Sequence, residues 1–202
     1  MTISYIFEGS LYINMTNRCT NRCDFCVRTN TDALGDADSL WLEREPTVEE
    51  VIADLSTRDL SQFPEIVFCG YGEPTCRLDD VIAVCDWLHA HCDVPIRINT
   101  NGLSDLEYGC DTVEKLKGHV DALSISLNCS TPEEYDRICH SQFGLDAHSA
   151  MLDFAARAAK VIPSVTLTVV DTIPAEEIEA CRKLAQKAGT KFRVRSYIGK
   201  GQ

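Results

Sequence analysis

The chain has 202 residues and a mass of 22.4 kDa, enough to bury the core of one domain; its 45% hydrophobic and 25% charged residues are ordinary for a soluble fold. A formal net charge of −12 with a pI near 4.8 repels nucleic acid, and no Lys/Arg-rich stripe offsets it, so direct nucleic-acid reading is excluded. No apolar stretch approaches the roughly 18 residues of a membrane span and Met1–Ser10 lacks a signal-peptide pattern, which places the eleven cysteines in a reducing cytoplasm where thiols serve metals or cores.

The first predicted element is a strand over Ile3–Phe7, turning through Glu8-Gly9-Ser10 into a second strand over Ser10–Asn14. Next comes Cys19-Thr-Asn-Arg-Cys23-Asp-Phe-Cys26, three thiols at a C-x3-C-x2-C spacing. The stretch Val27–Pro46, with Gly35 and the apolar Leu40-Trp41-Leu42, is too long for an ordinary connection and is expected to fold over the cysteines. Thr47-Val-Glu-Glu50 carries a capping box and opens a helix. A strand over Glu65–Gly70 ends in Gly70-Tyr-Gly-Glu-Pro74, and a helix covers Leu78–Cys92.

A strand over Ile96–Thr100 runs into Asn99-Thr-Asn-Gly102, followed by a short helix over Asp111–Lys117 and a strand over Ala122–Leu127 that carries Ser126-Leu-Asn128. Thr131-Pro-Glu-Glu134 repeats the capping box. After a helix over Leu145–Val161 and a strand over Val165–Val170, Pro174 suits a first helical position. Ile178, Cys181, Leu184, Ala185 and Ala188 form one apolar face, and Gly189 stops that helix. The last strand, Lys191–Tyr197, places Arg193 and Arg195 on one face, able to reach a carboxylate or phosphate or to stand as a solvated edge pair.

Six near-continuous apolar strands alternating with helices imply right-handed crossovers and a parallel sheet covered on both sides. The expected fold is α/β, a partial (βα)6 TIM-like barrel spanning residues 1–202 as a single domain. Ligands in such a sheet gather at the carboxyl ends of the strands. The cysteine loop leaves one such end, and Gly70–Pro74, Asn99–Gly102 and Ser126–Asn128 leave three others.

Three thiolates on one short loop can hold three irons of a four-iron, four-sulfur cluster and leave the fourth open to a small molecule, whereas a closed electron-transfer cluster takes four cysteines. Zinc or plain core thiols are the alternatives. Zinc would want a fourth ligand at complementary spacing, and His89 and His91 lie two apart on a helix, on different faces. The other eight cysteines form no second motif and suit small buried hydrophobes. Alone, Asn99–Gly102 is ordinary turn chemistry and Glu73 an ordinary helix cap; it is their place on successive strand ends that points to a ligand.

With these residues, nearly the whole chain resembles the radical S-adenosylmethionine superfamily. Cys19, Cys23 and Cys26 match its cluster motif, with the aromatic Phe25 before the third cysteine. Tyr71-Gly72-Glu73-Pro74 is similar to its Gly-Gly-Glu-Pro motif, with Tyr at the first Gly and Gly70 just upstream. The resemblance implies a [4Fe-4S] cluster held by the three cysteines and S-adenosylmethionine on the open iron. It implies that Gly70, Gly72 and Glu73 receive the amino group, and that Asn99, Asn101, Ser126 and Asn128 meet the carboxylate and ribose. Phe25 and Arg195 complete the implied cofactor contacts. The segments Phe68–Thr75, Leu40–Pro46 and Phe192–Arg195 resemble the small radical S-adenosylmethionine proteins associated with TatD-type hydrolases.

The implied reaction is reductive cleavage of S-adenosylmethionine to a 5′-deoxyadenosyl radical that takes hydrogen from an unassigned substrate. An electron donor such as flavodoxin or ferredoxin and a TatD-type hydrolase are the implied partners; no nucleic acid and no membrane are expected. A glycyl-radical activase, an enzyme like the carboxy-deazaguanine synthases, or a non-enzymatic iron–sulfur or zinc module are the alternatives.

Overall fold

The computed structural model describes residues 1–199. Seven strands form one sheet in chain order: β1 (Ser4–Phe7), β2 (Ser10–Ile13), β3 (Ile66–Phe68), β4 (Ile96–Thr100), β5 (Ala122–Ser126), β6 (Ser164–Val170) and β7 (Lys191–Arg195). β1 pairs antiparallel with β2 through the predicted hairpin, and every later neighbour pairs parallel. The fold is the expected α/β partial barrel. Its helices are α1 (Val48–Leu55), α2 (Leu78–His91), α3 (Ser104–Tyr108), α4 (Thr112–Leu116), α5 (Pro132–Cys139), α6 (Asp146–Ala158) and α7 (Ala175–Lys187). None is long and apolar enough to cross a membrane.

Strand periodicity divides the sheet into two chemically different faces. Leu11, Ile13, Ile66, Phe68, Ile96, Ile98, Leu123, Ile125, Val165, Leu167 and Val169 point to the helices and join one core with Val84, Leu88, Met151 and Phe154. The alternate residues line the concave face. On β1–β3 these are apolar: Tyr5, Tyr12 and Val67 pack with Leu40 and Tyr71 in a second, smaller core. On β4–β7, apart from Ala122 and Val170, they are polar or basic: Arg97, Asn99, Ser124, Ser126, Thr166, Thr168, Arg193 and Arg195.

Residues 27–42 cover the apolar half. Val27, Leu34 and Ala37 pack on it, and Asn14 Nδ2 donates to Leu40 O at 2.8 Å. Gly35 is required there: at φ +60° a Cβ would stand 1.9 Å from Ile6 O. The neighbouring Asp36 takes the Ile6 amide on its carboxylate and donates its own amide to Ile6 O, which blunts the open edge of β1. Asn30 reaches beyond β7, donating to Tyr197 Oη at 2.8 Å and Ile198 O at 3.1 Å. The long segment therefore spans the concave side from β1 to the chain after β7. Trp41 forms its rim, edge-on to Tyr71 with ring centroids 5.1 Å apart.

Both predicted caps occur, one of them incomplete. Thr47 and Glu50 make the reciprocal box. At Thr131 the hydroxyl accepts from Glu134 N, but the Glu134 carboxylate turns outward to Arg137.

Candidate active site

The cysteine loop leaves β2 and is fastened on three sides. Asn101 Nδ2 donates to Thr20 Oγ1 at 2.8 Å, tying it to the end of β4. Arg22 N and Asp24 N donate to Cys139 O and Ile138 O, capping the last turn of α5. Asn21 Nδ2 donates to Tyr135 Oη at 2.9 Å inside the protein. Cys19 is exposed, Cys23 and Cys26 are half-buried, and none forms a disulfide.

Although part of Cys19 faces solvent, the loops packed around its sulfur desolvate it and, with the Glu73 charge behind them, push the thiol up to about 12. Contact with the Cys139 thiol, then burial, pushes Cys23 up; burial, with a smaller push from Cys23, raises Cys26. Arg28 pulls all three back toward thiolate. Ligation by thiolate therefore releases protons at this loop. Among the described residues, no three His, Cys, Asp or Glu side chains converge on a point where one metal ion could sit. A cubane asks for a different arrangement, because each thiolate takes a separate iron.

The end of β3 packs directly on this loop. Glu73 N donates to Arg18 O at 2.7 Å, and a Cβ on Gly72 would stand 2.3 Å from Thr16 O and 2.6 Å from Arg18 O. A Cβ on Gly70 would stand 2.0 Å from Asn14 Oδ1. Both glycines are needed for the close approach of two loops, a reason the motif alone does not reveal.

Glu73 itself is 5% exposed. Its Oε1 accepts from Thr75 N at 3.1 Å and Thr75 Oγ1 at 2.7 Å, capping the short 3-10 turn Pro74–Arg77. Its Oε2 accepts from Asn101 N at 2.7 Å. Burial raises its pKa from the ordinary carboxylate value, against the downward pull of these hydrogen bonds. Glu73 is thus both a cap and a buried charge aimed at the next strand end.

The structure brings Cys19, Glu73, Asn101 and the Thr20 hydroxyl into one connected cluster. Asn128, in the left-handed region at φ 63°, donates Nδ2 to Cys139 Sγ at 3.4 Å and leaves Oδ1 buried without a partner. Asn21 Oδ1 is equally unpaired among the described residues. Ser126 is half-buried on the concave face. Phe25 packs against the main core. Asn99 is committed below the mouth, its Oδ1 taking Arg97 Nη1. Arg195 stands on the concave face of β7 with Nε buried and, among the described residues, without a hydrogen-bond partner.

Thr20, Asn21, Arg28, Tyr135, Cys139 and Arg97 escaped the sequence analysis. Arg97 had a signal, since it alternates with Asn99 on one face of β4. Tyr135 and Cys139 had none, because only the tertiary fold brings α5 to the loop.

The sequence matches the Radical SAM superfamily over residues 13–185. The chain belongs to that superfamily. Membership implies a [4Fe-4S] cluster and S-adenosylmethionine binding. No curated protein matches the sequence. Solved structures do match in fold. SuiB of Streptococcus suis bound to its precursor peptide SuiA is 18% identical at a TM-score of 0.69, over 95% of this chain and 40% of that one. SuiB bound to S-adenosylmethionine is 16% identical at 0.67, over 94% and 40%. A radical SAM methyltransferase from Sphaerobacter thermophilus is 17% identical at 0.64, over 96% and 57%. This radical SAM chain therefore spans about two-fifths of SuiB and over half of the methyltransferase.

Proposed function

We propose that Cys19, Cys23 and Cys26 hold a [4Fe-4S] cluster and that S-adenosylmethionine binds its open iron at the mouth formed by Gly70–Glu73, Asn101, Ser126 and Asn128. The bound pair supplies one-electron cleavage of the sulfonium C–S bond, giving methionine and a 5′-deoxyadenosyl radical that abstracts hydrogen from a substrate. One observation carries this proposal: the cysteine loop, the buried Glu73 carboxylate and Asn101 form a single hydrogen-bonded cluster at adjacent strand ends. The donor set fits the two cofactors. Three thiols lie free of disulfides, and the buried oxygens Asn21 Oδ1 and Asn128 Oδ1 lack donors that an ammonium or ribose hydroxyl would provide.

Each residue then has a defined task. Glu73 offers a buried negative charge to the methionine ammonium, where low dielectric strengthens the attraction. Asn101 holds that carboxylate from its backbone and the loop from its side chain. Arg28 favours the thiolate forms. Residues 27–42 keep water from the apolar half of the concave face, as radical chemistry requires. The segments Phe68–Thr75, Leu40–Pro46 and Phe192–Arg195 support placement beside the TatD-associated proteins, with a TatD-type hydrolase as partner and a flavodoxin or ferredoxin as electron donor.

The test is metal and sulfide analysis after anaerobic reconstitution, with equilibrium binding of S-adenosylmethionine. The expected content is about four irons and four sulfides per chain, with Cys26→Ser losing iron and Glu73→Gln keeping iron but losing S-adenosylmethionine. Stoichiometric zinc without iron would sink the proposal.

A further inference from the structure

Beside the residues given above to the cluster and S-adenosylmethionine, the concave face of the last strands holds a basic group. On β7 every concave position is basic: Lys191, Arg193 and Arg195. Their neighbours in register on β6 are Thr166, Thr168 and Val170. The next strand offers Ser124 and Ser126. In a chain of net charge −12, this wall carries three cations and no carboxylate.

The nearest acids are already engaged. Glu65 is bound by Arg97 through both oxygens, at 3.0 and 2.6 Å, and Asp171 takes Tyr197 N at 2.8 Å. Lys191 donates to Ser164 Oγ at 3.0 Å. Arg193 has one weak contact, Ser124 Oγ at 3.3 Å. Among the described residues Arg195 makes no side-chain hydrogen bond and no ion pair, although its Nε is buried. Burial first, then Arg193 and Arg97, pull its pKa below the ordinary arginine value, with Cys69 pulling the other way. A guanidinium held this way costs stability, since buried cations are normally paired.

We propose that Arg193 and Arg195 receive an anionic group of the substrate, a phosphate or carboxylate, on the concave face beside the cofactor mouth. Two guanidiniums two residues apart share one strand face, and each carries a fork of N–H donors of the kind that suits such oxyanions. Arg97, locked by Glu65 and Asn99, forms the floor without competing for the anion. The proposal rests on the radical S-adenosylmethionine reading for the reaction, but not for the anion site itself.

The test is calorimetric titration of the reconstituted, anaerobic protein with inorganic phosphate and with malonate at constant ionic strength. Wild type should bind one anion per chain. Arg193→Gln and Arg195→Gln should each weaken binding about tenfold or more, Arg195→Lys less, and the distant Arg44→Gln not at all. Arg195→Gln should also melt no lower than wild type, because it removes an unpaired buried cation. Equal anion binding by wild type and Arg195→Gln would overturn the proposal.

The S-adenosylmethionine carboxylate is the rival occupant. Saturating S-adenosylmethionine should leave phosphate affinity within about twofold of its original value; displacement of phosphate would assign the arginines to the cofactor and overturn the proposal. If S-adenosylmethionine does not bind while phosphate binding still depends on both arginines, the radical reading falls and the anion site stands. If S-adenosylmethionine is cleaved and neither anion binds, the anion site falls alone.

Discussion

Gly72→Ala is the smallest change that should separate the two loops of the site. Adding one methyl group places a carbon 2.3 Å from Thr16 O and 2.6 Å from Arg18 O, both backbone atoms that cannot swing away. The Thr16–Arg18 segment must then retreat from the end of β3, breaking the 2.7 Å bond from Glu73 N to Arg18 O. Overpacking of this kind costs about 1–3 kcal/mol, and the lost hydrogen bond about 1 kcal/mol more. A total of about 2–4 kcal/mol lowers Tm by about 5–15 °C in a domain of this size. Because Arg18 precedes the first cysteine, iron content after reconstitution should fall as well. Thermal melting followed by circular dichroism, with iron analysis on the same sample, makes the check. A variant that melts within about 1 °C of wild type and loads full iron would refute the packing account of this glycine.

Burial raises the pKa of folded Glu73 above its unfolded value, so its contribution to stability is full below about pH 4 and lost as pH rises through the raised folded value. Melting curves from about pH 4 to about pH 7 should show Glu73→Gln gaining on wild type as pH rises, whatever their offset at the acid end; parallel curves would contradict the burial. Tyr135→Phe leaves the Asn21 amide without its 2.9 Å acceptor, costs about 1–3 kcal/mol, and should speed iron release under a chelator. Thr47→Ala removes a capping box far from the cysteines. It should cost about 1 kcal/mol in melting and leave iron content unchanged.

Much of this molecule can be read from local pattern. β4, predicted over Ile96–Thr100, forms at those bounds because its alternate apolar residues allow only one face to meet the helices. The hairpin and Gly189 obey the same local logic. α3 was not predicted, and its Leu103 cap makes no side-chain hydrogen bond, so five residues carry no start signal. The division of the concave face into an apolar half and a basic half was also hidden. It depends on which strands residues 27–42 cover, a choice made by Gly35 approaching Ile6 and Asn30 reaching Tyr197. At the site, cysteine spacing identified the loop, while the reasons for Gly70 and Gly72 lie in contacts some 55 residues apart in sequence, as from Thr16 to Gly72.

The central claim is that this loop and its neighbours cleave S-adenosylmethionine. The most direct measurement incubates the reconstituted protein anaerobically with S-adenosylmethionine and dithionite and quantifies 5′-deoxyadenosine and methionine. Dithionite-dependent release of 5′-deoxyadenosine, absent from Cys23→Ala, is the predicted result. A protein that carries the cluster and binds S-adenosylmethionine yet releases none, with or without dithionite, would contradict the account.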